Sequence, residues 1–354
     1  MHIYKVIIPR AKLFPLSYQS VEPMIIGEIV LVPFRNMQSI GIVIAEDKYD
    51  AKINYKQIIH KYSYQAIKKE IVDFYLKMAS YYVESEGGIA KLALPVDLNT
   101  KREIKEFMQA IPDSFALKDL SAEQVVTLNN IASKGTTVLQ GVTGSGKTEI
   151  YFHLAANILA AGKQVLIMLP EIALTQQIIS RFEQSFGFQP VIWNSAISLA
   201  EKKKILHAIL QGNVKLVIGA LSALFFPYAV LGAFVVDEEH DSSYKQDNAP
   251  CYNARDMAVL RGHVEQFPVL LCSATPSIET IFNIHNQKYH HILLQNRFGG
   301  AGLPHIQLLD MQQQNLQKDR WLASDLITAM QNSLAKKEQV LLFLNRRGYA
   351  PLIL

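Results

Sequence analysis

Two short runs carry side chains that could do chemistry. Residues 141–148 read GVTGSGKT, in which Gly141, Gly144, Ser145 and Gly146 precede Lys147 and Thr148. Glycines at this spacing let successive backbone N–H groups turn inward around an anion, and a helix starting at the lysine adds its positive end. The template is that of a phosphate-binding loop: Lys147 would reach the β- and γ-phosphates of a nucleotide, and Thr148 would offer its hydroxyl to magnesium. The second run is AFVVDEEH, residues 233–240, where an apolar segment ends in Asp237, Glu238, Glu239 and His240. A buried strand that empties into carboxylates is costly unless a cation stands opposite. Asp237 is the candidate magnesium ligand and Glu238 the candidate to orient or deprotonate a water, so that Lys147, Asp237 and Glu238 form the expected catalytic set.

The elements that must position these residues follow from the pattern around them. From Leu120 onward, apolar runs alternate with helical segments: TVLQGVTG, QVLIMLPE, VKLVIGA, AFVVDEEH and VLLCSATP. Near-continuous apolar runs predict parallel strands covered on both faces, hence an α/β, doubly wound domain over residues 120–320. The chemistry-bearing residues fall at the carboxyl ends of these runs, where such sheets bind ligands. Residues 1–97 read differently. YKVIIP, GEIVLVPF and SIGIVIAE are β-branched segments between turn residues, followed by a helical period over Ala66–Ser85, with Gly87, Gly88 and Pro95 as closing punctuation. Residues 98–119 are charged and read as a linker with one helix. A helix near Ala323–Lys336 and an apolar strand, VLLFLNRRGYAP, make residues 321–354 the expected start of a second lobe continuing past Leu354.

Composition bounds the function classes. A chain of 354 residues that is 49% hydrophobic can bury a sizeable core and make two or three domains. Its formal charge of +4 is compatible with a polyanionic partner without demanding one. Cys251 and Cys272 are the only cysteines and form no CxxC pair, so neither a zinc knot nor a disulfide framework can be built from them, and both are expected as core thiols in a reducing compartment. The N-terminus lacks the apolar stretch of a signal peptide, and no apolar run approaches the roughly 18 residues of a membrane span. The expected location is cytoplasmic, with no membrane partner.

The order of the motifs is more specific than any one of them. GVTGSGKTEIY, LPEIALTQQ, DEEHDSSYKQ, SATPS and FLNRRGYAP occur in that order. In this the chain resembles superfamily 2 DNA helicases, and within them the bacterial primosomal replication-restart helicases. The resemblance implies a RecA-like P-loop helicase lobe, ATP and Mg²⁺ as cofactors, and 3′-to-5′ unwinding of forked and single-stranded DNA. It also implies primosomal proteins and single-stranded DNA-binding protein as partners. By the same resemblance Gln124 would contact the adenine and Pro170, Glu171 and Thr175 would lie along a single strand. His240, Ser273 and Thr275 would couple the nucleotide state to DNA, and Tyr244 and Tyr252 would belong to an aromatic-rich loop able to stack on bases. The N-terminal module, through VPF, IGIV and YY…ALP, resembles the family's binding domain for a DNA 3′ end, with Tyr18 in its pocket and Lys61 and Arg35 as lesser candidates.

Several positions depart from that pattern. Leu16 and Ser17 stand where the family has Phe-Asp, Arg35 where glycine is common, Ala220 and Leu221 where a hydroxyl–arginine pair contacts DNA, and Asn194 where His precedes Ser195. The family's zinc-binding cysteines and the arginines of its second lobe are absent from these residues. An arginine contributes roughly 10³ to 10⁵ in rate in comparable phosphoryl transfers, so weak hydrolysis by these residues alone is expected. Two other readings stay open on sequence: a non-catalytic module binding fork DNA or a partner with a vestigial nucleotide site, and a different P-loop enzyme such as a small-molecule kinase.

Overall fold

The structure, a computed structural model, describes residues 2–96, 106–170, 175–194, 196–219, 221–297, 305–311 and 322–343. It divides into two units, residues 1–301 and 302–354.

The first unit opens with an antiparallel sheet of β1 (His2–Ile7), β2 (Leu16–Ser20), β3 (Ile29–Phe34), β4 (Met37–Asp47) and β5 (His60–Lys61), in the order β2-β1-β4-β3-β5. The two-residue turn between β3 and β4 places Arg35 in the left-handed region at φ 52°. Helix α1 (Lys69–Tyr82) follows and buries Ile71, Val72, Phe74, Tyr75, Met78 and Ala79, one apolar face at helical spacing. It stops at Val83, whose left-handed backbone returns its N–H to the Ala79 and Ser80 carbonyls.

Gly87 and Gly88, expected as punctuation, lie inside a second helix, α2 (Glu86–Ala93), capped by the Ser85 hydroxyl. The reason is close approach. A Cβ on Gly87 would stand 2.5 Å from the Arg10 carbonyl oxygen and 2.6 Å from that of Leu13, and the Gly87 N–H donates to the latter at 2.9 Å. Glycine here weakens the helix by about 0.5–1 kcal/mol but lets the β1–β2 loop lie against it.

Residues 106–119 contain no helix and do not behave as a free linker. The Gln109 side chain is buried and fully used. Its amide donates to the Gln189 and Leu216 carbonyls and its oxygen accepts from the Lys215 and Leu216 N–H groups, at 2.6–3.2 Å. Phe115 and Leu117 pack on the core beyond.

Next come α3 (Ala122–Asn130), β6 (Gly135–Gly141), α4 (Lys147–Ala160), β7 (Gln164–Met168), α5 (Gln176–Phe186), β8 (Val191–Trp193), α6 (Leu199–Leu210), β9 (Leu216–Gly219) and β10 (Leu231–Val236). A small hairpin, β11 (Lys245–Gln246) and β12 (Tyr252–Asn253), precedes α7 (Ala254–Glu265), β13 (Pro268–Ser273), α8 (Ile278–His285) and β14 (His290–Leu294). Seven strands form one parallel sheet, ordered β14-β6-β13-β10-β7-β9-β8. Strands β6 and β7 are consecutive among these but not adjacent, because β13 and β10 are inserted between them. The crevice that this crossover opens lies at the carboxyl ends of the strands.

The antiparallel module and this lobe share one core. A single buried cluster includes Ile29 and Phe74 on one side and Phe225 and Phe234 on the other. Phe74 stacks on Phe225 with centroids 5.9 Å apart, and the Tyr75 hydroxyl donates to the Phe225 carbonyl at 2.6 Å. The Tyr82 hydroxyl accepts the Asn253 N–H at 3.1 Å. At the centre Arg261 is fully buried, with its guanidinium 5.5–5.8 Å from the centroids of Phe74, Tyr228 and Phe234. It also donates to the Glu265 carboxylate and the Leu224 carbonyl. No helix among the described residues is long and apolar enough to cross a membrane.

The second unit contains helix α9 (Ser324–Ala335), within the stretch where a helix is predicted. The expected strand after it is not formed over residues 340–343, and its remainder lies outside the described residues.

Removing Arg261 would strand the Glu265 carboxylate in the core. Arg261→Ala is expected to cost roughly 3–5 kcal/mol. Because the core is shared, thermal melting should show a single lowered transition. Hydrogen exchange should report protection lost together in α1 and α7; loss confined to α7 would contradict a shared core.

Candidate nucleotide site

The P-loop leaves β6 and enters α4. Gly144 and Gly146 take left-handed φ values of 82° and 83°, the conformation that a tight phosphate cradle needs and that glycine adopts without strain. Lys147 is buried, and its Nζ donates to the Gly141 carbonyl at 2.8 Å, which holds the ammonium at the floor of the loop. Ser145 is buried too, with an unpartnered Oγ. A pocket of about 330 Å³ opens above, lined by Gly144, Gly146, Lys147, Thr148, Asp237 and Glu238 among others. The sheet thus brings together the two runs singled out in the sequence, 90 residues apart in the chain.

The acid run is divided by one backbone torsion. Glu238 sits in the left-handed region at φ 46°, a conformation costing about 1–2 kcal/mol for a residue with a Cβ. It turns the chain so that the four side chains part company. Asp237 faces the P-loop, where its Oδ2 accepts from the Tyr151 hydroxyl at 3.0 Å and its Oδ1 from the Glu238 N–H at 3.0 Å. Burial, and then the neighbouring Glu238 charge, raise its carboxyl above the ordinary range. Burial and Asp237 likewise push the Tyr151 phenol well up, so it stays a donor. Glu238 is half exposed at the pocket mouth, its carboxylate 3.7 Å from the His240 ring.

Glu239 turns the other way and is buried, accepting four hydrogen bonds. They come from the Ser277 N–H at 2.8 Å, the Ser277 hydroxyl at 3.2 Å, the Thr280 hydroxyl at 3.0 Å and Arg255 Nη1 at 3.2 Å. Arg255, at the start of α7, also reaches the Ser277 hydroxyl and Asp256. His240 Nδ1 lies 2.8 Å from the Ser273 Oγ, which in turn accepts the Thr275 N–H at 2.9 Å. The DEEH and SATPS runs are therefore joined at the ends of β10 and β13 by two sets of polar contacts, His240 with Ser273 and Glu239 with Ser277.

Other expected site residues are placed differently. Gln124 is buried, its oxygen accepting the Ser121 N–H in a capping box and its amide donating to the Ser145 carbonyl at 3.0 Å. It braces the P-loop from behind and presents no edge to an adenine. Tyr244 is buried with its hydroxyl donating to the Met168 and Asp237 carbonyls at 3.0 and 2.6 Å. Tyr252 is buried edge-on against Phe225, with centroids 5.0 Å apart. Both rings are packed into the interior. Tyr18 is also buried, donating to the Pro33 carbonyl at 3.1 Å, so the N-terminal module cannot use its ring as a stacking platform. Lys61 is ion-paired with Glu28. Pro170 is buried, Thr175 caps α5 by accepting the Ile178 N–H, and Glu171 lies outside the described residues. Cys272 is buried as expected of a core thiol, whereas Cys251 is exposed, its thiol donating to the Asp247 carbonyl.

Sequence reasoning missed Glu239, Arg255, Ser277, Thr280 and Tyr151. The signals were present. Tyr151 follows Lys147 by four residues and so shares its helix face, and Glu239 was the one acid of the run left without a counterpart.

Comparison with known proteins matches this layout. Residues 121–284 match the DEAD/DEAH box helicase family, and residues 5–95 match the 3′DNA-binding domain (3′BD) family. The replication restart protein PriA of Rickettsia felis is 50% identical over 359 residues, covering 100% of this chain and 55% of its own length. PriA of Rickettsia prowazekii is 49% identical over 360 residues with the same coverage. PriA of Haemophilus influenzae is 43% identical over 217 residues, 61% of this chain and 30% of its own. The chain spans about half the length of the Rickettsia relatives it matches.

Two substitutions separate the roles of neighbouring acids. Asp237→Asn keeps the acceptor for Glu238 N–H and removes a buried negative charge, so the thermal midpoint without ligand should rise. Glu239→Ala leaves Arg255 with Asp256 as its remaining carboxylate and takes the acceptor from the Ser277 N–H, and is expected to cost roughly 1–3 kcal/mol. Paired melting curves decide this; equal destabilisation by both would contradict the division of the run.

Proposed function

The chain belongs to the PriA family of replication restart proteins, and from that premise we propose that its parallel-sheet lobe is the ATP-binding lobe of a 3′-to-5′ DNA helicase acting at stalled or abandoned replication forks. The observation that carries the reading is the convergence of Lys147 and Thr148 with Asp237 and Glu238 in one pocket.

The donor set fits magnesium. A threonine hydroxyl and a carboxylate are hard oxygen ligands, few enough to leave room for phosphate oxygens and water. Burial and then the Glu238 charge raise the Asp237 carboxyl despite Lys147 and the Tyr151 hydroxyl, so a cation beside it would be favourable. Thr148 and Asp237 would hold the ion, which when bound offsets charge on the nucleotide's phosphates. The backbone N–H groups of residues 144–148 and the amino end of α4 would bind the phosphate oxygens. Lys147 would exchange the Gly141 carbonyl for a phosphate oxygen. Glu238, at the pocket mouth, would take the proton of the attacking water. His240, joined to Ser273, would pass the occupancy of the pocket to the SATPS turn and from there to DNA.

Reloading the replisome through primosomal proteins and single-stranded DNA-binding protein is proposed for the whole protein on the strength of its family. The β-rich module would bind the 3′ end of the nascent strand.

The nucleotide reading is tested by Lys147→Ala in equilibrium binding of a fluorescent ATP analogue with magnesium. Loss of nucleotide binding with unchanged affinity for single-stranded DNA is expected. Normal nucleotide binding by the variant would sink the assignment.

A further inference from the structure

A second concavity, about 620 Å³ in volume, lies in the β-rich module, and its charged lining is all cationic where the P-loop pocket mixes cations with acids. Its charged lining is Arg10 and Lys12 from the β1–β2 loop, Arg35 from the β3–β4 turn and Lys91 from α2. No acidic side chain lines it, and none of the four cations has a carboxylate partner among the described residues. Four like charges gathered without counter-charge repel one another, weakly where they are exposed to solvent, and an anion between them relieves that repulsion.

The arrangement is also built. Phe34 forms the floor, with the Arg10 and Arg35 guanidinium carbons 5.2 and 5.5 Å from its ring centroid, so both planes are held by one aromatic ring. The loop carrying Arg10 and Lys12 is fixed to α2 by the close approach at Gly87, and Lys91 follows Gly87 by one helical turn on the same face. Two of the four cations stand on strained backbone: Lys12 at φ 60° and Arg35 at φ 52°. Glycine would serve both positions without strain. Holding an arginine and a lysine there costs about 1–2 kcal/mol each and brings two more charges to the same cleft.

We propose that this cleft binds the sugar–phosphate backbone of the DNA strand whose 3′ end the β-rich module would hold. The proposal rests on the 3′-end reading of that module. It differs from it in contacting phosphates, which position a strand without reading its sequence. The cleft spans the loop, the turn and the helix, so it offers cations from three elements to consecutive phosphates.

The test measures binding of the whole chain, by fluorescence anisotropy, to a 5′-labelled oligodeoxynucleotide with a free 3′ hydroxyl and to the same strand capped with a 3′ phosphate. Titrations at 50–300 mM salt give the slope of log K against log salt. Arg35→Gly relaxes the backbone as it removes the charge, so it should lower neither the thermal midpoint nor the fold content. Arg35→Gly and Lys91→Ala should each reduce the slope by about 0.7, the value per phosphate on a single strand, and the double variant by about 1.4. Lys69→Ala, a cation of α1 outside the cleft, should leave it unchanged. A double variant with the slope of the unaltered chain overturns the proposal. If the unaltered chain binds the free and capped ends alike, the 3′-end reading fails. The slopes then decide separately whether the cleft holds DNA backbone.

Discussion

A carboxylate at the end of a buried strand must find a positive or hydrogen-bonding partner or lose its charge. Three such groups leave β10 in succession, and the lobe is arranged around giving each a different one. The left-handed backbone of Glu238 is what makes this possible, because an extended chain would send Asp237 and Glu239 to the same side. Here Asp237 goes to the P-loop, Glu239 to Arg255 and the hydroxyls of Ser277 and Thr280, and Glu238 to the open pocket. The strand order follows the same need. With β13 beside β10 on one flank and beside β6 on the other, the SATPS turn and the P-loop both come within reach of the acid run.

The two buried polar centres do different work. Glu239 is saturated by four donors, and such a group fixes the relative position of the β10 and β13 ends. Asp237 is under-compensated, with two donors and a raised carboxyl. A saturated site holds geometry, and an under-compensated one is available to a ligand. The contrast lies in the hydrogen bonding, four donors against two, which the order of the acids in the motif does not reveal.

Much of this was legible in the chain. The parallel strands β6, β7, β9, β10 and β13 announce themselves as continuous apolar runs because both faces are covered. Strands β8 and β14 do not, since edge strands such as Val191–Trp193 and the half-polar HHILL need no such run. The P-loop and the first two acids could be singled out because the template of a phosphate-binding loop is written in fixed residue types at fixed spacing, and the fold brings both runs to one pocket. The tyrosines were not. Tyr18, Tyr244 and Tyr252 carry both a ring and a hydroxyl, and only the packing shows that each is spent on the interior. Gly87 and Gly88 misled for a related reason. Glycine marks a turn when read locally, but Gly87 marks contact with Arg10 and Leu13, more than seventy residues away in sequence.

The aromatic seam between α1 and α7 bears on ancestry as well as on stability. Modules joined by a linker can be exchanged among proteins with little adjustment. Modules that interlock through Phe74, Tyr75, Phe225 and Arg261 cannot, because either half on its own exposes a face shaped for the other. The antiparallel module and the parallel-sheet lobe are therefore parts of one packing unit. A change of ring size at Phe74 would need an answering change in the packing around Phe225 and Arg261.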